Sequence, residues 1–226
     1  MAMHDLQEIA ACIQHTNVSP ATTRDDIIAL CDEAERYRFD GVMVQPCWVD
    51  LCRKKLQGSS VKVCSAMAYP LGGSLTRSKV AEMRHLVEEG AQEIDFMANL
   101  GFLVGGAIEA YHDEIAALVS AADGVPLKIM LELGATPEEL WQVAIEQAEK
   151  AGVAYVKNSS GWGLGGKASV ETIGFMRRCA QRAKVKASGG IRTAEDAKAI
   201  LSAGAHLIGT SAGPAIMVGQ VGEGAY

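Results

Sequence analysis

Two lysines of this 226-residue chain stand inside short apolar runs, Lys157 in Ala154-Tyr155-Val156-Lys157 and Lys186 in Val185-Lys186-Ala187. Such runs read as buried strands, where a lysine is seldom found without a role. Each run is followed at once by small polar and glycine residues, Asn158-Ser159-Ser160-Gly161 and Ser188-Gly189-Gly190. A lysine at the end of a strand beside a glycine-rich turn is placed for amine chemistry on a carbonyl. Burial favours the neutral amine, and a neighbouring ammonium pushes the same way. A lysine brought toward neutrality in this manner is a nucleophile that forms a Schiff base. A second lysine with a carboxylate such as Asp95 would keep that amine neutral and relay protons. A third strand lysine, Lys128, reads equally well as half of a structural ion pair, and spacing alone does not choose the nucleophile.

A second constellation concerns anions. Ser188-Gly189-Gly190-Ile191-Arg192-Thr193 and Ile208-Gly209-Thr210-Ser211-Ala212-Gly213 each join an apolar run to a helix-like stretch. Glycines let backbone N–H groups approach a phosphate, and a following helix N-terminus adds favourable partial charge. Gly161-Trp162-Gly163-Leu164-Gly165-Gly166 would close over the ligand. Read singly, each glycine pair is a tight turn.

The elements that must carry these groups alternate along the chain. Apolar runs lie at Ile13–Thr16, Gly41–Gln45, Val61–Tyr69, Glu93–Asn99, Pro126–Leu131, Ala154–Asn158, Val185–Ser188 and Leu207–Thr210. Between them the apolar spacing is helical, over Arg24–Tyr37 behind a Thr22 or Thr23 cap, Trp48–Leu56, Thr76–Glu89 and Ala107–Ala122. Thr136-Pro137-Glu138-Glu139 reads as the start of a helix running to Lys150. Ser169–Arg182, Thr193–Ser202 and a short stretch after Gly213 complete the series, and Asp5–Cys12 is an extra N-terminal helix. Eight such units predict an α/β fold, a (β/α)8 TIM barrel with that extra helix. A doubly wound open sheet is the alternative. The chain reads as one barrel domain over 1–226, with residues 219–226 a flexible C-terminal tail.

In a barrel the site lies at the C-terminal ends of the strands. The polar residues there are Gln14, His15, Thr16, Gln45, Ser65, Asp95, Asn99, Lys128, Glu132, Lys157, Asn158, Lys186, Ser188, Thr210 and Ser211. The net charge of −6 argues against sequence-independent binding to nucleic acid or an anionic membrane. The six cysteines are scattered and form no CxxC pair, which suggests reduced thiols of an intracellular, cytoplasmic protein. No signal sequence or membrane span is legible. The histidines have no ligand spacing, so no metal site is expected, nor any dinucleotide fingerprint or nucleophile elbow.

Several segments together resemble the class I deoxyribose-phosphate aldolases over essentially the whole chain. They are Ile13-Gln14-His15-Thr16, Tyr69-Pro70-Leu71-Gly72, Glu93-Ile94-Asp95 with Asn99-Leu100-Gly101, Leu127-Lys128, Val156-Lys157-Asn158-Ser159, Val185 through Thr193, and Gly209-Thr210-Ser211. The resemblance implies that Lys157 is the Schiff-base lysine, Lys186 its perturbing and proton-shuttling partner, and Asp95 the acid/base carboxylate. It implies that Gly161, Gly189, Gly190, Arg192, Gly209 and Ser211 surround a substrate phosphate, with Gln14 and Asn158 added to the substrate-binding set. It also implies that Tyr226, on the tail, enters the site. The reaction implied is reversible cleavage of 2-deoxy-D-ribose 5-phosphate to glyceraldehyde 3-phosphate and acetaldehyde, without cofactor or metal. The partners are then aldehyde and sugar-phosphate small molecules, and a dimer or tetramer stays open. Gln14 stands where the family usually has aspartate, Gln45 where it has asparagine, Asn158 where it has threonine, and Trp162 where lysine or a smaller aromatic is more frequent. These departures leave open a related Schiff-base aldolase for another sugar phosphate or a 2-oxo acid. A non-catalytic phosphate-binding barrel is the third reading.

Overall fold

The computed structural model describes residues 5–222. Eight parallel strands close into a barrel in chain order. They are β1 (Ile13–Asn17), β2 (Gly41–Val44), β3 (Lys62–Met67), β4 (Glu93–Met97), β5 (Leu127–Met130), β6 (Tyr155–Lys157), β7 (Lys184–Ser188) and β8 (Leu207–Thr210). The helices around them are α1 (Leu6–Ala10), α2 (Arg24–Tyr37), α3 (Val49–Lys55), α4 (Thr76–Glu88) and α5 (Leu100–Val104). The ring is completed by α6 (Ile108–Ala121), α7 (Trp141–Ala151), α8 (Val170–Cys179), α9 (Ala194–Ser202) and α10 (Gly213–Met217). The expected barrel and its extra N-terminal helix are both present.

Local chemistry accounts for most boundaries. Thr23 and Thr193 each cap a helix reciprocally with an aspartate three residues on, Asp26 and Asp196. Gly152 ends α7 in the left-handed conformation at φ 98°. The helix expected from Thr136 starts later, at Trp141. The Thr136 hydroxyl donates backward to the Leu131 and Glu132 carbonyls, closing the turn after β5 instead of capping forward. β3 is shorter than its apolar run because Ala68 turns left-handed at φ 51°. α8 stops at Cys179 rather than Arg182, and α5 was not legible in the sequence.

The main apolar core lies between strands and helices. Val42, Val63, Ile94, Phe96, Ile129, Val156, Val185 and Ile208 face it from the strands, and Ile27, Ile115, Ile145 and Ile173 from the helices. The barrel interior differs. On the β2–β3 side it is apolar, with Met43, Cys64 and Ala66. On the β4–β7 side it is ionic. Parallel register sets Asp95 opposite Lys128 and Lys157 opposite Lys186, so four charged side chains share the inner face.

Candidate active site

Asp95, Lys128 and Lys186 are wholly buried and Lys157 is 1 % exposed, so their charges must satisfy one another. The Asp95 carboxylate is the hub. Its Oδ2 lies 2.7 Å from Lys186 Nζ and 3.2 Å from Lys157 Nζ, and its Oδ1 lies 3.0 Å from Lys128 Nζ. Burial raises the Asp95 carboxyl, but Lys128, Lys186 and Lys157 outweigh it and hold the group well below the usual carboxylate range. Asp95 is therefore an anion in the resting site.

Lys157 responds in the opposite sense. Burial is the largest influence and lowers its pKa; Asp95 works against this, while Lys128 adds to the depression. Burial also works against the Lys128 ammonium, yet Asp95 and Glu93 keep that group charged. The site thus holds one lysine biased toward the free amine next to lysines locked into ion pairs, the electrostatic condition for amine nucleophilicity.

Beneath these four groups lie residues that strand-end reasoning does not reach. Glu93, at the start of β4, sits 2.7 Å from Lys128 and 2.9 Å from Lys62, and Lys62 sits 2.9 Å from Asp40. Period two along β4 puts Glu93 on the same face as Asp95, which was a usable signal; Asp40 and Lys62 lie at strand starts, away from the mouth. Gln14 belongs to this layer. Its Oε1 accepts from Lys186 Nζ, and its Nε2 donates to Glu93 at 2.7 Å and Asp40 at 2.8 Å. A glutamine offers one acceptor and a donor group in one plane. An aspartate here would offer no donor to the carboxylates of Asp40 and Glu93.

Asn158, just past Lys157, is committed to the frame as well. Its Nδ2 donates to the Ser188 carbonyl at 3.0 Å, and its Oδ1 accepts from the Ser188 N–H at 2.8 Å. Glu132, left-handed at φ 46°, reaches across from the end of β5 and accepts from the Ser160 N–H and hydroxyl at 2.6 and 2.9 Å. Burial raises its pKa despite those bonds.

Gly189 and Gly190 follow β7 with φ of 90° and 78°, a backbone path that glycine adopts without strain. A Cβ at Gly189 would meet the Gly166 carbonyl at 2.9 Å, so the β6–α8 loop lies directly against this turn. Asp196 accepts from the Arg192 and Thr193 N–H groups, so a carboxylate already occupies part of the α9 N-terminus. Ser211 Oγ is buried with no hydrogen-bond partner among the described residues. Gly209 is a strand residue, paired with Gln14 and Ser188, and Gly161 is left-handed at φ 78°. Arg192 is exposed beside the Gly189-Gly190 turn, and its carbonyl accepts from the Gly222 N–H at 3.0 Å. Tyr226 lies outside the described residues.

Other strand-end candidates point elsewhere. His15 Nε2 is 2.8 Å from Glu33 of α2, Thr210 Oγ1 donates to the Ile191 carbonyl, Gln45 Nε2 donates to the Val18 carbonyl, and Asn99 caps α5. Among the described residues no three His, Cys, Asp or Glu side chains are placed to hold a metal ion, and no helix is long and apolar enough to cross a membrane.

Comparison with known proteins agrees with this geometry. The chain matches the DeoC/LacD family aldolase over residues 8–218. It is 42 % identical to a deoxyribose-phosphate aldolase of Halalkalibacterium halodurans, covering 97 % of this chain and 99 % of that one. It is 41 % identical to one of Treponema denticola, covering 94 % and 100 %. A solved tetrameric deoxyribose phosphate aldolase of Aeropyrum pernix superposes with a TM-score of 0.88 at 29 % identity, covering 95 % of this chain and 91 % of that one. Three buried lysines around one carboxylate, on a barrel of this topology and with relatives of this closeness, place the chain in the DeoC/LacD family of aldolases.

Proposed function

We propose that the protein is a class I aldolase that reversibly cleaves 2-deoxy-D-ribose 5-phosphate to glyceraldehyde 3-phosphate and acetaldehyde, working as a single barrel domain over 1–226. The observation that carries this reading is Lys157, biased toward the free amine by burial and held 3.2 Å from a carboxylate that Lys186 and Lys128 keep ionised. In the cleavage direction the Lys157 amine attacks the C1 aldehyde of the open-chain sugar. Loss of water gives an iminium that acts as an electron sink. Asp95, through Lys186 or a water, accepts the C3 hydroxyl proton. The C2–C3 bond breaks, its electron pair moves toward the iminium, and glyceraldehyde 3-phosphate leaves. Protonation of the remaining enamine carbon and hydrolysis release acetaldehyde and the free lysine. Tyr226 is a candidate donor for that protonation. Proton transfers of this kind each contribute roughly 10²- to 10⁴-fold.

In the same reading Gly161, Gly189, Gly190, Arg192, Gly209 and Ser211 receive the phosphate. The Ser211 hydroxyl, without a hydrogen-bond partner among the described residues, and the consecutive left-handed glycines support this. Gln14 and Asn158 then act by holding the frame of the site rather than by touching substrate. The substrates are small aldehydes and sugar phosphates, and a homo-oligomer is consistent with the tetrameric relative.

The test is borohydride trapping with 2-deoxyribose 5-phosphate, followed by peptide mass spectrometry. An ethyl adduct on Lys157, its loss in Lys157→Ala, and weaker binding of phosphorylated substrate in Arg192→Ala are expected. Equal turnover of Lys157→Ala and wild type would end the mechanism.

A further inference from the structure

Building on the proposed phosphate site, we propose that Glu132 is a positioning residue for recognition of the substrate phosphate. Its carboxylate grips both ends of the loop from Ser160 to Gly165 and so fixes that loop against the Gly189-Gly190 turn.

Glu132 follows β5 in the left-handed region, at φ 46°, a conformation uncommon for a residue with a Cβ and kept where the surroundings require it. Its side chain reaches the segment beyond β6. Oε2 accepts from the Ser160 N–H at 2.6 Å, and Oε1 accepts from the Ser160 hydroxyl at 2.9 Å. The Gly165 N–H donates to the same carboxylate. One buried group thus holds the first and the last residue of the loop. Glycine is needed on both sides of this contact. A Cβ at Gly165 would strike the Glu132 carboxylate, and one at Gly134 would strike the Leu164 carbonyl. From the β3 side, the Tyr69 hydroxyl donates to the Ser160 carbonyl at 3.2 Å.

The other flank of the loop meets the turn after β7. The Ser159 hydroxyl donates to the Gly166 carbonyl at 3.1 Å, and the Ala168 N–H donates to the Gly189 carbonyl at 3.0 Å. A Cβ at Gly190 would meet Lys167 Cδ at 2.9 Å. The loop is therefore suspended between Glu132 on one flank and the Gly189-Gly190 turn on the other, with Gly161 inside it. A carboxylate is a poor direct partner for a phosphate, so Glu132 acts through the loop. A binding site assembled for only part of the time loses apparent affinity in proportion to the assembled fraction.

Kinetics with 2-deoxyribose 5-phosphate and with 2-deoxyribose test this. A glutamine offers one acceptor oxygen to the three donors, so Glu132→Gln loosens the clamp. Ser160→Ala removes the hydroxyl and adds no charge. Glu132 also acts electrostatically on Lys157. That influence bears on both sugars alike and cancels in their comparison, and Ser160→Ala leaves it in place. The quantity read is the ratio of kcat/KM for the phosphorylated sugar to kcat/KM for 2-deoxyribose. It is expected to fall about tenfold in Glu132→Gln and about threefold in Ser160→Ala, through KM of the phosphorylated sugar. The double variant should fall short of the product of the two, since both act on one contact. The inhibition constant of inorganic phosphate should rise in step, which gives the same reading without turnover of the second sugar. A purely structural role would lower the melting temperature and leave the ratio and the phosphate inhibition constant as in the wild type. Unchanged values in folded variants of an active wild type, or single effects that multiply in full, overturn the inference and leave the aldolase reading intact. If Glu132→Gln does not fold, Ser160→Ala decides alone. A wild type that turns over neither sugar overturns the aldolase reading and this inference with it.

Discussion

Replacing Lys79 by methionine isolates a buried charge next to β4. Lys79 of α4 is wholly buried and Glu114 of α6 is 2 % exposed. Their ammonium and carboxylate lie 2.8 Å apart. Lys79 also donates to the Met97 carbonyl at 3.1 Å, and Glu114 accepts from the Asn99 N–H at 2.8 Å and the Thr76 hydroxyl at 3.0 Å. The pair thus braces the chain two to four residues beyond Asp95. Lys79→Met leaves a carboxylate buried without its cation, a loss of about 3–5 kcal/mol. A buried carboxylate in that position escapes by taking up a proton. The cost of doing so is about 4 kcal/mol at pH 7 and about 1 kcal/mol at pH 5, given an ordinary glutamate pKa. The destabilisation is therefore capped near the first figure and shrinks as the pH falls. Urea unfolding at both pH values measures it, with Lys79→Met/Glu114→Gln expected to recover most of the loss at pH 7. A cost that is equal at the two pH values, or below about 1 kcal/mol at pH 7, would refute the reasoning.

Glu93 makes acid stability a second test. Its pKa falls from 4.5 to about 2; burial opposes the change, and Lys128 and Lys62 overcome it. A depressed carboxyl contributes stability that is full above about pH 4.5 and is lost as the pH falls toward 2, here about 3 kcal/mol. Glu93→Gln should flatten the stability profile in that window, as followed by circular dichroism. Gly165→Ala would drive a Cβ into the Glu132 carboxylate, so a loss of about 1–3 kcal/mol is expected in thermal unfolding. Gly73→Ala, with no atom within 4 Å, should stay within about 0.5 kcal/mol. Gln14→Leu strips an acceptor from Lys186 and a donor group from Glu93 and Asp40, and should lower stability by about 2–3 kcal/mol; an unchanged midpoint would show that water replaces the amide.

The barrel was legible because each of its strands carries a buried apolar face and several of its helices, α1, α2, α8 and α9, carry side-chain N-caps. Lysine inside such runs marked the site, since nothing in an apolar strand explains a lysine except chemistry or pairing. The lower half of the site was hidden for a definite reason. Asp40 and Lys62 lie at strand starts, where charged residues are ordinarily solvated, and only barrel closure turns them inward onto Glu93. The family resemblance put Gln14 in the substrate-binding set, whereas its amide bonds three partners, Asp40, Glu93 and Lys186, in the layer below. Thr136 shows the complementary failure. Its sequence suits a forward cap, and the tertiary need to terminate β5 claimed its hydroxyl first. The Lys79–Glu114 pair was invisible because each residue looks like a surface position on its own helix.

Asn158 has a meaning for strand alignment. β6 ends at Lys157, yet the ladder to β7 continues one step further, because the planar side-chain amide of Asn158 exchanges a donor and an acceptor with the Ser188 main chain as a peptide group would. A slip of one residue between β6 and β7 would turn one strand's side chains to the opposite face and carry Lys157 or Lys186 out of the barrel. The amide stands at the open end of a strand only three residues long, where slippage is least resisted. It works as a latch on register, keeping the two lysines abreast while the chain beyond it is free to turn toward Gly161.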